Sequence, residues 1–436
     1  MALELVFECT RTLNKLRSGP LGELVDGFCD WLLEHGFTRH TARKHLSNVS
    51  HLNEHLARNG AGGHTLSAQA VNEFLREYRL RARNRGPLDQ HLSRVQFSVN
   101  RFIEYLRSSG LFEPSAKTAI YQPLRDGYLQ WMREHQHAAA ATIELRSRSI
   151  SQFLRWLGPQ ATPQGCLELT AGTVERFFLP YAQKMGRSAR RSMQAALRTF
   201  LRFCLSQGYV QRPLDRAVPT WRTYKLATVP RGLTGEQALQ VLQGIDRNSN
   251  VGRRDYAICQ LLYTYGVRGG QVRALRHHDI DWAHNQILFR AAKHGKDSLL
   301  PLTIEVGESL LDYLKNARPR SSDPHVFLTS RAPYHALAHS NSLSAMVERH
   351  LHKAGIEVTS KGAHAFRHGF ATRMLQEGHS LKAIADVLGH RHLGSTFIYT
   401  KVDFNSLKAV ALRWPKEARL PGLPAARQAG GGQVPQ

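Results

Sequence analysis

Apolar residues in the first half of the chain recur at helical spacing, and the pattern repeats itself. Phe28, Trp31 and Leu32 mark one face of a helix; Tyr128, Trp131 and Met132 mark another. The segment LVDGFCDWLLEH (24–35) matches LRDGYLQWMREH (124–135), with Leu, Asp, Gly, Trp, Glu and His coinciding. LSAQAVNEFL (66–75) resembles LTAGTVERFF (169–178), and VNRFIEYLRSSGLF (99–112) resembles LRTFLRFCLSQGYV (197–210). Three matches in one order, at offsets of 98 to 103, predict two copies of one helical unit, residues 1–115 and 118–212. Gly110 and Gly208 stand as stop signals after the last helix of each copy. Two copies are too few for a solenoid.

Periodicity is lost at QRPLDRAVPTWRTYKLATVPR (211–231), whose three prolines predict a linker over 213–231. Beyond it lies a third unit, 232–414. Thr234 with Gln237 three residues later reads as a capping box opening a helix. RRDYAICQLLYTYG (253–266) is an apolar helix stopped by Gly266, and QILFRAAKHGKDSLLPLT (286–303) is a β-hairpin with its turn at KHGK. HAFRHGFATRMLQEG (364–378) is a helix, followed by a shorter one that Ser380 caps and Gly389 ends. Ser395 is the expected cap of another short helix carrying Tyr399. FNSLKAVALRW (404–414) is apolar at helical spacing, suited to docking on its own domain or on a neighbouring subunit. Residues 415–436, rich in Pro, Gly and Ala, are expected to be a disordered tail. The fold class predicted is mainly α with a small β-sheet (α+β).

Length and composition agree with this division. At 436 residues the chain is long for one domain, and 42% apolar content is enough for real cores. No apolar run reaches the roughly 18 residues of a membrane span, and the acidic residues in MALELVFECTRTLNKLRSG make a poor signal peptide. The five cysteines are far apart and form no CxxC, which points away from a zinc site or disulfide framework and towards a reducing cytoplasm. Charge is the more telling quantity. Lys and Arg number 59 against 34 Asp and Glu, a net +25 spread along the whole chain. Such an excess selects polyanionic partners and predicts a broad footprint on nucleic acid, with basic helix faces such as KMGRSARRSMQAALRTF lying against phosphates.

Candidate chemistry gathers in the last unit. Arg268 opens a helix, where its charge opposes the helix dipole by about 0.3–1 kcal/mol unless an anion shares the site. Lys293 sits where the first hairpin strand meets its turn. His364, Arg367 and His368 share one helix face, apart from the stripe Phe366, Phe370 and Met374. Two histidines four apart suit a metal, but position 365 is Ala where HExxH has Glu, and no acidic cluster offers a third ligand. His with Arg on one face suits a phosphodiester better. His390 follows a helix stop, and Tyr399 lies nine residues on.

In order and approximate spacing, Arg268, Lys293, His364-x-x-Arg367, His390 and Tyr399 resemble the active-site set of the tyrosine recombinases, the phage-integrase family. YGVRGGQVRALRHHDID resembles the first arginine box, HAFRHGFAT the His-x-x-Arg box, and VLGHRHLGSTFIYTKV the closing Leu-Gly-His…Tyr box. The resemblance covers about 230–412, and 118–212 resembles the family's helical core-binding domain; the first copy is then an addition. It implies a cofactor-free, metal-free strand exchange on double-stranded DNA by a homotetramer. Tyr399 would be the nucleophile, Arg268 and Arg367 the phosphate clamp, His364 a base or hydrogen-bond partner, Lys293 the general acid and His390 an orienting group. A mobile-element integrase or transposon recombinase acting at the nucleoid is the expected biology. Two departures stand out: Gln271 replaces the glutamate usual three residues after the first arginine, and Gly269-Gly270 weaken the local helix. A non-catalytic DNA-binding protein, a type IB topoisomerase-like nicking-closing enzyme and a histidine-based metallohydrolase are the competing readings.

Overall fold

The computed structural model describes residues 2–60, 66–83, 89–113, 119–220, 232–291, 297–337, 340–358, 360, 362–390, 394, 396 and 399. The chain divides into two compact units, Met1–Lys225 and Leu226–Gln436.

The first unit is built from helices. Short α1 (Ala2–Val6) and α2 (Thr10–Arg17) precede α3 (Gly22–Glu34) and α4 (Arg39–Arg58). After β1 (Leu66–Ser67) come α5 (Ala68–Arg83), α6 (Asp89–Ser108) and β2 (Phe112–Glu113), which pairs parallel with β1. The pattern then recurs as α7 (Gln122–Glu134), α8 (Ala140–Leu157), α9 (Ala171–Lys184) and α10 (Arg187–Ser206). Matching residues make matching contacts. Phe28 meets Phe102 edge-on at 5.0 Å, and Tyr128 meets Phe200 edge-on at 5.4 Å. Trp31 stacks on His35 as Trp131 stacks on His135. A second row of rings also repeats: His55, Phe74 and Tyr78 in one copy, Trp156, Phe177 and Tyr181 in the other. Gly110 and Gly208 both take positive φ at the helix stop. Residues 213–220 of the expected linker are packed: a 3-10 turn at Asp215–Ala217 leads to Val218, buried in the second core, where Arg198 donates to its carbonyl at 2.9 Å.

The second unit holds α11 (Gly235–Gln243), α12 (Asn250–Tyr265), α13 (Gly269–Ala274), β3 (Ile280–Asp281), β4 (Gln286–Phe289), β5 (Ser298–Pro301), α14 (Ile304–Asn316), α15 (Ser340–Lys353), α16 (Ala363–Gln376) and α17 (Leu381–Val387). The strands form one antiparallel sheet in the order β3-β4-β5, with Ile287 opposite Leu300, so the expected hairpin is present; its turn, with Lys293, lies outside the described residues. The Thr234–Gln237 capping box forms in both directions. Helix α12 is the centre of the core: Ile258, Leu261 and Leu262 are buried, and α14 and α16 pack against it. Its buried Asp255 takes Arg254, Arg349 and His350, tying α12 to α15. Mainly helical architecture with a small sheet is therefore the observed fold class. Among the described residues no helix is long and apolar enough to cross a membrane.

Candidate active site

Two glycines decide where α16 lies. Gly266 ends α12 in the left-handed region, and a Cβ there would stand 2.5 Å from the Phe370 ring. Gly369 faces the chain entering the unit: a Cβ on it would stand 2.2 Å from the Leu233 carbonyl oxygen, and one on Gly232 2.2 Å from the Gly369 nitrogen. Leu233 N–H also donates to the Ala365 carbonyl at 3.1 Å. The segment carrying His364, Arg367 and His368 is thus clamped between the end of α12 and the start of the unit.

Arg367, only 4% exposed, donates from Nη1 to the Gly266 carbonyl at 2.9 Å and from Nη2 to the Leu388 carbonyl at 2.8 Å. Arg268 approaches the same turn, from Nη1 to Leu388 O at 3.4 Å and from Nη2 to Gly389 O at 3.3 Å. These carbonyls are the orphaned acceptors at the end of α17, where cationic donors are favourable. The Arg268 side chain leaves its own helix start and reaches across to the end of α17. What holds its helix is Gln271, whose Oε1 accepts from the Arg268 backbone N–H at 3.0 Å while its Nε2 donates to Arg290 O at 3.4 Å. The amide does the capping expected of the usual glutamate.

Among the described residues no carboxylate pairs with Arg268 or Arg367. Burial and the neighbouring Arg268 lower the Arg367 pKa to about 10. Two guanidiniums held together, with no carboxylate beside them among the described residues, form a site suited to an anion.

The turn fixed by those arginines presents His390. Its backbone N–H donates to Ala385 O at 2.8 Å, and its Nδ1 meets Thr396 Oγ1 at 2.8 Å. Thr396 is fully buried, and its carbonyl accepts from Tyr399 N–H at 3.0 Å. Tyr399 is 2% exposed among Phe370, Ala371, Ile384 and Leu388. Its hydroxyl lies 2.9 Å from His368 Nδ1. Burial raises the Tyr399 pKa, and Arg367 and Arg268 oppose that shift. Burial, then arginine charge, lowers His390 to about 4; burial, His364 and Arg367 lower His368 to about 4. His364 stands on the solvent side but is crowded, and Arg367 and Arg268 help lower its pKa too. The His368 and His390 imidazoles are thus held neutral at neutral pH.

The structure therefore brings together Arg268, His364, Arg367, His390 and Tyr399, and leaves Lys293 and Ser395 outside the described residues. Two partners were missing from the residue set read from the sequence. His368 was visible on the same helix face but had no visible partner. Thr396 carried no signal beyond its place in the closing box. Among the described residues no three His, Cys, Asp or Glu side chains gather into a metal-binding group.

Residues 231–406 match the Phage integrase family. Across 93% of this chain and 98% of the relative, the sequence is 31% identical to an integrase/recombinase, y4rA, of Sinorhizobium fredii (strain NBRC 101917 / NGR234). It is 29% identical to the tyrosine recombinase XerA of Thermococcus kodakarensis, over 61% of this chain and 86% of that protein. Among solved structures, a lambda integrase (75–356) dimer bound to a COC′ core site aligns with 64% of this chain and 94% of that one, at 17% identity and a TM-score of 0.49. The chain belongs to the phage integrase family, the tyrosine recombinases. It is a tyrosine-type site-specific DNA recombinase.

Proposed function

We propose that Tyr399 is the nucleophile of this recombinase and that Arg268 and Arg367 bind the scissile phosphate. One observation carries the reading: the tyrosine hydroxyl lies in the same constellation as two guanidiniums that no carboxylate pairs with among the described residues. The Tyr399 oxygen attacks phosphorus in line, and the 5′ oxygen leaves with a proton from Lys293. The resulting 3′-phosphotyrosyl ester conserves the bond energy, so rejoining needs no nucleotide cofactor. The arginines stabilise the charge that develops on the non-bridging oxygens, the electrostatic term that usually dominates. His390 orients the phosphate, and His364, on the open side of α16, hydrogen-bonds to it.

Double-stranded DNA is the substrate and a homotetramer the working assembly. Exposed Arg148, Arg155, Lys184, Arg187 and Arg191 on the second helical copy supply donors for backbone phosphates. The first copy extends that footprint along flanking DNA, as a mobile element's integrase or transposon recombinase would use it, in the cytoplasm at the nucleoid. The near full-length match to an integrase/recombinase supports this reading over that of a compact resolvase.

The decisive experiment uses a DNA substrate from the element's own ends, nicked beside the cleavage point so that the cut strand escapes. A covalent protein–DNA adduct on a denaturing gel in EDTA is expected, and Tyr399→Phe is expected to abolish it while DNA binding persists. An adduct that survives Tyr399→Phe overturns the assignment. Exchange between two sites, and not relaxation of supercoils alone, separates recombinase from nicking-closing chemistry.

A further inference from the structure

The six positions that mark the family leave one contact unassigned: the hydroxyl of Tyr399 rests on His368. We propose that His368 is a further catalytic residue, the base that accepts the Tyr399 proton when the phenol attacks phosphorus. The inference rests on the reading of Tyr399 as nucleophile and adds the destination of its proton.

Geometry distinguishes His368 from His364. The two are one turn apart on α16, with ring centroids 6.2 Å apart. His368 is half-buried and its Nδ1 is 2.9 Å from the phenol oxygen, within the range a general base needs. His364 stands on the open side, where an incoming phosphate arrives. The groups facing His368 are His364 and Arg367 on its own helix, His390 from the turn after α17, and Tyr399. Arg367 does not compete for its lone pair and disfavours its protonation before the reaction. A pKa of about 4 keeps Nδ1 free to accept throughout the neutral range. Such an imidazole is a weak base at rest. It gains strength when a phosphate neutralises the arginine charge beside it, so proton transfer is favoured once DNA is bound.

The step balances. The Tyr399 O–H bond breaks and an Nδ1–H bond forms on His368. The phenolate oxygen's electron pair makes the P–O bond, and the P–O5′ bond breaks. The leaving oxygen takes its proton from Lys293. On rejoining, the 5′ hydroxyl gives its proton back to Lys293 and its oxygen bonds phosphorus, the phosphotyrosyl P–O bond breaks, and His368 returns its proton to the departing tyrosine oxygen.

The test measures single-turnover adduct formation on a substrate whose scissile 5′ oxygen is replaced by sulfur. That leaving group departs without a proton and so removes the acid from the pH profile. For the wild type, the rate is expected to be nearly flat from about pH 5.5 to about 8, because the base is already free. His368→Asn is expected to cut slower by about 100-fold at pH 7 and to speed up about tenfold per pH unit towards the phenol pKa near 10. Placing a difluorotyrosine at position 399, a more acidic phenol, is expected to restore much of that loss. A His368→Asn variant within about threefold of wild type, with a parallel profile, overturns the proposal. So does a wild-type rate that itself climbs tenfold per unit; that profile needs no variant and decides the matter should His368→Asn fail to bind DNA. Tyr399→Phe in the same assay keeps the two levels apart: loss of the adduct there, with His368→Asn unaffected, removes only His368, whereas a persisting adduct removes the nucleophile as well.

Discussion

The arginines and the tyrosine of this site are neighbours, but they stand on mounts of different strength. Arg268 and Arg367 emerge from elements packed on α12, in a continuous core that runs from Leu233 to Phe366. Among the described residues Tyr399 is seated in a satellite cluster of five buried residues, four of them from α16, α17 and the turn after it. The arginine half is built into the continuous core. Among the described residues the tyrosine half is held by a few apolar contacts, one hydroxyl–imidazole bond and the His390–Thr396 pair. A small cluster opens at lower free-energy cost than a domain core. On the proposed assignment that division suits a catalyst that attaches itself to DNA and later lets go: the arginines stay still while the tyrosine changes partners.

Cutting one residue from each mount gives the largest contrast. Leu262→Ala removes a fully buried side chain from α12 and is expected to cost about 3–5 kcal/mol of stability. Ile384→Ala empties the satellite cluster, whose smaller surroundings can collapse, and is expected to cost about 2 kcal/mol. At a temperature where both variants remain folded, adduct formation should suffer more in Ile384→Ala. Denaturant melts alongside the cleavage assay check this; a greater cleavage defect in Leu262→Ala would erase the distinction between the mounts.

Removing charge from the clamp tests the other half. Arg367→Gln is expected to slow cleavage by about 10²–10³-fold, the usual loss on deleting a transition-state donor. Without DNA its stability should change little. The variant loses donors to Gly266 O and Leu388 O, but it also relieves the repulsion between two adjacent like charges. Sulfate should raise the melting temperature of the wild type and leave that of Arg367→Gln nearly unmoved.

Acid should separate the mounts by titration. His368 and His390 border the tyrosine cluster, and both have pKa values lowered to about 4 from an unfolded value near 6.5. Between those values the unfolded chain binds protons that the folded site refuses, so stability falls as pH drops from about 6.5 to about 4. Allowing for solvent screening of these half-exposed rings, the loss is roughly 2 kcal/mol by pH 5. Asp255, which ties α12 to α15, has a pKa held below the usual carboxylate value by His350 and Arg254 against the cost of burial. Its contribution is present above about pH 4 and is lost only in stronger acid. Hydrogen exchange at pH 5 should therefore quicken in α17 and the adjoining turn before it quickens in α12.

What was legible in the sequence was whatever depends on local spacing. Helical periods, caps such as Thr234 and Ser380, the stop at Gly266 and the repeated Trp31 and Trp131 faces all act within a few residues of themselves. The ordered boxes around Arg268, Arg367, His390 and Tyr399 were legible as a resemblance, since order and spacing survive without a fold. Contacts between distant segments were not legible. That His368 rather than His364 meets the tyrosine depends on how α16 is rotated, and the Leu233 and Gly369 crossing sets that rotation. The two arginines meeting at the end of α17 likewise join positions about 120 residues apart in Arg268 and Gly389, which no local pattern reports.

Gln271 gives the smallest and sharpest test, because the sequence and the structure weigh it differently. Read as a departure from the family's glutamate, preceded by two glycines in an already short helix, it suggests a weakened arginine box. In the structure its amide is used at both ends: the oxygen caps Arg268 N–H and the nitrogen donates to Arg290 O. A carboxylate would keep the first bond but turn the second into a repulsion between two acceptors, in a position only 5% exposed. It would also bring a negative charge near two arginines that pair with no carboxylate among the described residues, which works the other way. The two effects nearly cancel, so Gln271→Glu should change stability by less than about 1 kcal/mol, while Gln271→Ala, losing both bonds, should cost about 1–2 kcal/mol. Cleavage should follow the same order, since the cap fixes where the Arg268 side chain begins. A Gln271→Glu variant several-fold more active than wild type would show instead that the clamp is held back by its missing acid, and that its rigidity has been bought at the expense of rate.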